Sequence, residues 1–338
     1  MNKTKIIAEI GINHNGKISN AKKLIDIAKK SGADSVKFQT YITDKLINND
    51  EELMPYQKIN IKKRINQFQM LKQNELTRED HIKLIKYSKK KKIEFISTPY
   101  DLESAKLLIN LGLKTIKVAS TDITNLQLIR FLLSKKINLI LSCGATSLKE
   151  LDILFNLIRS KKNFKMISLL HCISFYPAPV KSLNLNVIKN LKKRYKIKVG
   201  FSDHSLSKYT GSFAVLSGAE IIEKHITLNR KMVGPDHKAS LEPKNFNEYV
   251  KLIRLAESSL GDGIKKIEKI EKLTKKSMQK SIIVNQDLNK GTKIKDNLVS
   301  SMRPARGISP LYIDKIIGKK LAFPKKKMKF YFGVILNK

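Results

Sequence analysis

Residues 5–40 read KIIAEIGINHNGKISNAKKLIDIAKKSGADSVKFQT. A β-rich run over 5–12 passes through the polar turn Asn13-His14-Asn15-Gly16 into a segment of helical spacing, where Leu24, Ile25 and Ala28 share one face. Gly32 follows, where a left-handed cap favours glycine, and a second β-rich run covers 35–40. Two strands joined through a helix run parallel, because parallel neighbours need a crossover. The same rhythm continues for about 260 residues. Further strands are predicted at 94–98, 115–120, 138–143, 165–172, 198–202 and 220–226, with helices at 81–90, 148–159 and 246–260 among those between them. Eight βα repeats predict a (β/α)8 TIM barrel, since eight strands close the sheet. No G-x-G-x-x-G follows the first strand, which argues against an open dinucleotide-binding sheet.

The rhythm stops after Gly261-Asp-Gly263. The expected organisation is a barrel over 1–262, a Lys/Glu-rich linker or short helix over 263–277, and a small second domain over 278–338. That last domain holds a short strand at 281–284, a turn at Asn289-Lys-Gly291 and a small helix at 310–317. At such a size it needs support from the barrel or a partner.

The chain of 338 residues carries a formal charge of +38, which invites a polyanion-binding reading. Composition weakens it: 58 of the 67 basic residues are Lys and only nine are Arg, and Trp is absent. Lys, Ile and Asn all have A/T-rich codons, so a biased genome accounts for much of the lysine, and no nucleic-acid partner is expected. There is no apolar run of about 18 residues and no signal-peptide pattern near the start, so the expectation is a cytoplasmic protein without a membrane span. Cys143 and Cys172 match neither a metal motif nor a disulfide framework.

In a βα barrel the chemistry sits at the C-terminal strand ends. Those ends carry Glu9, Lys37 and Gln39, Thr98, Lys117 with Ser120 and Asp122, Ser142, Ser174 and Tyr176, Ser202 and His204, Glu223 and His225, and the Gly234-Pro-Asp236-His237 loop. Lys37 and Lys117 interrupt apolar strands, and an ammonium inside a barrel is costly without an anion. They read either as structural ion pairs with Glu9 or Glu223, or, with Thr98, Ser120, Ser142 and Ser202, as a pocket for phosphate or carboxylate. His204 and His225 end neighbouring strands and are expected to converge on a metal. Two nitrogens with oxygen donors suit Mn²⁺ or Mg²⁺ better than a closed zinc site. His81 reads as a residue on a polar helix face.

In this order the residues resemble the sialic acid synthase family, which includes N-acetylneuraminate, legionaminate and pseudaminate synthases. The similarity is carried by Ala8-Glu-Ile-Gly-Ile-Asn-His-Asn-Gly16, Val36-Lys-Phe-Gln-Thr40, Ile96-Ser-Thr-Pro99, Phe201-Ser-Asp-His204, Glu223-Lys-His225 and Gly234-Pro-Asp-His-Lys-Ala-Ser240. The tail resembles the antifreeze-like (SAF) domain that follows the barrel in that family. The resemblance implies metal-dependent condensation of phosphoenolpyruvate with an N-acylated mannosamine-type sugar, giving a nine-carbon α-keto acid and phosphate. It places phosphoenolpyruvate on Lys37, Lys117, Thr98, Ser120, Ser142, Ser174, Tyr176 and Ser202. It makes Glu9, Asp122 and Lys117 the catalytic residues, with acid/base work on Glu9 and Asp122, and assigns the sugar to Gln39, Asp236 and Arg303. Arg303 would come from the other protomer of a domain-swapped homodimer. Departures from the family pattern at Thr121-Asp122, Ser142-Cys-Gly-Ala145, Ser174 and Arg306 bear on the identity of the sugar.

Overall fold

The computed structural model describes residues 3–330 apart from 62, 63 and 159. Eight parallel strands close into a barrel in sequence order: β1 (Lys5–Gly11), β2 (Ser35–Thr40), β3 (Glu94–Pro99), β4 (Thr115–Val118), β5 (Asn138–Ser142), β6 (Ile167–Cys172), β7 (Lys198–Asp203) and β8 (Ile221–His225), with β8 pairing back to β1. The main helices that follow these strands in turn are α1 (Ile18–Ser31), α2 (Arg78–Lys90), α3 (Leu102–Asn110), α4 (Leu126–Ser134), α5 (Leu148–Leu157), α6 (Asn186–Tyr195), α7 (Thr210–Leu216) and α8 (Pro243–Leu260). α1 buries Leu24, Ile25 and Ala28 and ends at Gly32, whose φ of 88° is the expected left-handed cap.

Boundaries differ from the sequence reading where short helices intrude. β4 stops at Val118 because Ser120–Asp122 turns into a 3₁₀ helix, and β6 starts at Ile167 because Lys161–Met166 is helical. Arg159, the expected last residue of the fifth helix, lies outside the described residues. The connection after β2 is an excursion over residues 41–76 with three short helices. Its apolar cluster joins Tyr41, Leu53, Ile61, Met70 and Leu71 to Ile12.

Period-two alternation sorts the barrel interior into layers. Ile7, Ile96, Ile140, Leu170 and Ile221 form a closed aliphatic floor. Two positions further along the same strands stand Glu9, Thr98, Ser142, Cys172 and Glu223, so a polar layer rests on that floor at the C-terminal mouth. Residues facing outward from the strands, such as Ala8, Val36, Phe38, Ile116, Leu139, Phe201 and Ile222, pack with the helices in the main core.

The chain divides into two compact units, 1–262 and 263–338. The second begins with the helix Glu271–Met278, in the stretch expected as linker. It then pairs β9 (Ser281–Val284) antiparallel to β10 (Val299–Met302) over a small core of Ile282, Val284, Leu288, Ile294, Val299, Ile316 and Leu321. Among the described residues no helix is long and apolar enough to cross a membrane.

Candidate active site

The polar layer is assembled by strand register. Glu9 on β1 pairs with Lys37 on β2 and with His225 on β8, while Ser202 on β7 pairs with Glu223 on β8. Lys37 Nζ lies 3.0 Å from Glu9 and 3.9 Å from Glu223, and donates to Thr98 Oγ1 at 2.9 Å. Lys117 Nζ lies 3.9 Å from Glu223 and donates to Ser142 Oγ at 2.6 Å. Ser202 donates to Glu223 at 3.0 Å. All four charged side chains are at most 5% exposed. The structure thus pairs the lysines with Glu9 and Glu223 and adds the hydroxyls of Thr98, Ser142 and Ser202 to the same cluster.

The electrostatics leave this cluster short of negative charge. Burial pushes Glu9 up to about 8, and Glu223 adds to the rise against the pull of Lys37. Burial also opposes ionisation of Glu223, but Lys117 and Lys37 outweigh it and hold that carboxyl below its usual range. Lys37 is raised, because Glu223 and Glu9 overcome its desolvation, whereas burial lowers Lys117. Near neutral pH one ionised carboxylate thus faces two amines, an arrangement that favours an incoming anion.

The remaining hydroxyls gather around Gly144. Its N–H donates to Ser120 Oγ at 3.0 Å, Ser120 lies 3.2 Å from Cys172 Sγ, and a Cβ on Gly144 would collide with Ser174 Oγ and Cys172 Sγ. Gln39 approaches the Glu9 carboxyl across Gly11, whose φ of +54° keeps the first strand's end free of a side chain there. Asp122 lies in the 3₁₀ turn that follows β4. Its carboxylate accepts from Thr121 and Asn125, and burial raises its pKa.

His204 and His225 do converge, with ring centroids 5.7 Å apart, and Tyr176 stacks on His204 at 4.2 Å. His204 Nδ1 lies 2.7 Å from the Ile173 carbonyl, which only accepts, so Nδ1 carries the proton and Nε2 keeps its lone pair. That Nε2 faces Ser202 Oγ and Tyr176 Oη, each at 3.3 Å. His225 Nδ1 is buried without a hydrogen-bond partner. Burial drives His204 down to about 4 and His225 well below its ordinary value, so both rings are neutral. Two neutral imidazoles, one with an unpartnered nitrogen and one whose Nε2 lone pair meets only hydroxyls at 3.3 Å, fit a divalent ion. Among the described residues no third His, Cys, Asp or Glu completes a cluster with them.

Asp236 lies in the loop after β8, tied to the loop after β1: His237 bridges Thr227 Oγ1 (2.7 Å) and Asn15 Oδ1 (3.0 Å), and Asn13 donates to Ile226 O and Ser240 Oγ. The excursion reaches the same loop through Asn60, which donates to Pro235 O at 2.6 Å. Burial pushes Asp236 up to about 6, with Lys37 pulling the other way. Arg303 is an exposed residue of the second unit.

One expectation is corrected. His81 is fully buried, not on a polar face, with Nε2 2.8 Å from Thr40 Oγ1 and Nδ1 2.8 Å from Thr77 O. The outward hydroxyls of Thr40 and Ser97, 2.6 Å apart, give α2 a polar spot to pack on. Two features escaped the sequence reading. Tyr100, next after Pro99 on β3, feels Glu9, Asp122 and Asp236 and packs edge-on against Tyr41. Asp203 and Lys224 form a fully buried pair behind the two histidines. The signal for the second was available: each is a charged residue on the helix-facing side of a buried strand, directly before a histidine.

Fold and mouth together define a (β/α)8-barrel enzyme with a cationic, oxygen-rich site. The chain belongs to the NeuB family, whose model matches residues 24–265. An N,N'-diacetyllegionaminic acid synthase of Campylobacter jejuni is 41% identical over 320 residues, 94% of this chain and 96% of the relative. Its counterpart from Legionella pneumophila is 40% identical, covering 94% and 90%. The crystal structure of an N-acetylneuraminic acid (sialic acid) synthetase from Leptospira borgpetersenii is 32% identical and covers 81% of this chain and 90% of that one, with a TM-score of 0.72.

Proposed function

We propose that this chain is a sugar acid synthase that condenses phosphoenolpyruvate with an N-acylated mannose-type amino sugar, releasing phosphate and a nine-carbon α-keto acid. A 2,4-diacetamido-trideoxy sugar is the first choice of acceptor, on the strength of the two legionaminic acid synthase relatives; N-acetylmannosamine is the second. The observation that carries the reading is the pair of buried amines, Lys37 and Lys117, sharing one ionised carboxylate and braced by Thr98 and Ser142. A substrate bearing both a phosphate and a carboxylate supplies the missing negative charge.

In this mechanism Lys37, Lys117 and the hydroxyls of Thr98, Ser120, Ser142, Ser174 and Ser202 orient the phosphoenolpyruvate, with Tyr176 beside them. Gln39 and Asp236 hold the open-chain sugar so that its aldehyde meets C3. His204 and His225 would hold a divalent ion, Mn²⁺ or Mg²⁺, whose chemistry when bound is polarisation of a carbonyl oxygen. Glu9, protonated up to about pH 8, donates a proton to the oxygen that becomes an alcohol as the C–C bond forms. Water, oriented by Asp122, then adds at C2 and returns a proton to the Glu9 carboxylate; the C2 hydroxyl becomes the ketone as the C–O bond breaks, and its proton leaves with phosphate. The second unit is read as an antifreeze-like domain that offers Arg303 to the sugar of the other protomer in a swapped homodimer.

The test is phosphate release and product mass with phosphoenolpyruvate, Mn²⁺ and a panel of sugars. A nine-carbon keto acid from the 2,4-diacetamido sugar or N-acetylmannosamine is expected. Turnover only with phosphorylated aldoses, or with no sugar at all, would overturn the reading.

A further inference from the structure

Behind the site, on the opposite side of the strands from the substrate, lies a polar cluster that the mechanism does not use. Asp203 and Lys224 occupy paired positions on β7 and β8 and form an ion pair of 2.9 Å, both side chains fully buried. Asp203 Oδ2 also accepts from Thr210 Oγ1 at 2.6 Å and Tyr249 Oη at 2.9 Å, and Oδ1 accepts from the Ser205 N–H at 2.9 Å. Lys224 Nζ donates in addition to the Ser205 carbonyl and lies 5.1 Å from the centre of the Tyr249 ring. Gly211 on α7 makes this possible, because a Cβ there would occupy the space of the Tyr249 hydroxyl.

A buried ion pair is poorly explained by stability, since well-packed apolar residues of similar volume serve as well or better. Its connectivity offers a different reason. Lys224, immediately before His225, grips the side chain of Asp203 and the carbonyl of Ser205, the two residues on either side of His204. One ammonium therefore fixes both flanks of the first imidazole from the strand that carries the second. Four directional contacts on one carboxylate then leave the two strand ends little freedom to slide or rotate.

We infer that Asp203 and Lys224, anchored by Tyr249, are positioning residues that set the spacing of His204 and His225 for a shared divalent ion. The inference rests on the reading of those histidines as metal ligands. Groups that hydrogen-bond a ligating side chain usually alter metal affinity by about 10- to 100-fold, and a pair that acts through the backbone on either side of the ligand belongs at the lower end.

The test measures Mn²⁺ affinity of the full chain from the free-ion electron paramagnetic resonance signal, with Mn²⁺ as the only added ligand, alongside thermal unfolding. The double variant Asp203→Leu/Lys224→Met avoids an unpaired buried charge but strands the Tyr249 hydroxyl and the Ser205 N–H, so it is expected to unfold at a lower temperature than wild type and, while folded, to bind Mn²⁺ about tenfold more weakly. A folded double variant with wild-type affinity would overturn the inference while leaving the metal site standing. Should the double variant fail to fold, Tyr249→Phe keeps the pair and removes one anchor. About fivefold weaker binding is then expected, the equivalent of one hydrogen bond, and unchanged binding overturns the inference. Wild-type protein that leaves the Mn²⁺ signal intact, indistinguishable from His204→Ala and His225→Ala, would instead refute the metal reading on which the inference rests.

Discussion

Lys37–Glu9 and Lys224–Asp203 are both buried lysine–carboxylate pairs on ladders of the same barrel, at 3.0 and 2.9 Å, yet their surroundings differ in kind. Asp203 is saturated: four donors meet its two oxygens, and its pKa stays below the usual carboxylate range because Lys224 and those donors overcome burial. Glu9 has no such company. Burial and Glu223 push it up to about 8, and Glu223 Oε2 is left without a partner. A completed network fixes a backbone, whereas an incomplete one keeps binding capacity for something that arrives later. The polar pair that faces the helices thus reads as architecture and the pair that faces the mouth as chemistry.

Activity gives the sharpest way to break that distinction. Lys37→Met removes a charge that the mouth reserves for an anion, so kcat/KM is expected to fall by about 10³, comparable to losing a transition-state donor, with the fold intact by circular dichroism. Lys117→Met should behave alike. A variant of either with near-wild-type kcat/KM would reassign the mouth to structure.

Stability should move the other way. Asp203→Asn leaves the Lys224 ammonium buried without its anion, at a cost of about 3–5 kcal/mol in denaturant unfolding, a large share of a typical domain's stability. Glu9→Gln replaces a carboxyl that is already protonated near neutrality and should cost far less. The sign of its pH dependence follows. Glu9 in the fold keeps its proton up to about 8 whereas the unfolded chain releases it near 4.5, so between those values the folded state binds more protons and stability falls as pH rises. Glu9→Gln lacks that loss and is expected to gain on wild type from about pH 5 to about pH 8. A constant difference across that range would show that Glu9 is ionised in the fold.

How far the sequence reveals this contrast depends on which face of the strand a residue takes. The mouth was legible because strand alternation places Glu9, Thr98, Ser142 and Glu223 two positions beyond Ile7, Ile96, Ile140 and Ile221, and a barrel points its C-terminal layer at substrate. The repeat of strand and helix made the barrel itself legible for the same reason. Asp203 and Lys224 are visible as charges, but their partner Tyr249 arrives from α8 only after the helical layer has packed, and Gly211 reads as a weak helix residue until its neighbour is known. His81 reads as a polar-face residue because a helix considered alone does not show that the strands beneath it carry outward hydroxyls at Thr40 and Ser97. Residues 41–76 carry no strong period, so the excursion that meets the Pro235 loop through Asn60 follows from tertiary contacts alone.

A smaller effect is expected at Asp236, which sits beside the mouth without a saturating network. Burial holds its pKa at about 6, so below that pH the carboxylate takes up a proton and loses acceptor capacity for sugar hydroxyls. The KM for the sugar should therefore rise as pH falls through about 6. Asp236→Asn should raise it by about tenfold, the order of one lost charged hydrogen bond, and abolish that dependence. Asp236→Asn should leave the KM for phosphoenolpyruvate at the wild-type value at each pH, since the phosphate's own titration at about pH 6 is common to both proteins; a shift in the variant alone would move Asp236 into the anion site.

The comparison is completed by a third lysine–carboxylate pair that water reaches. Lys326 and Asp287 lie 2.8 Å apart in the second unit, with side chains 79% and 58% exposed. The geometry matches the two buried pairs, but solvent and salt screen the attraction, and ordering two long side chains opposes it. Lys326→Ala is expected to leave the unfolding temperature and both KM values unchanged. If it instead destabilised the chain as Asp203→Asn does, distance would outweigh burial as the guide to which lysines matter, and the +38 surplus would have to be reread as structural. The expected null result assigns that surplus to a solvated surface, where its reach is a salt-dependent field that draws anions toward the molecule and whose effect fades within a Debye length of about 8 Å at physiological salt.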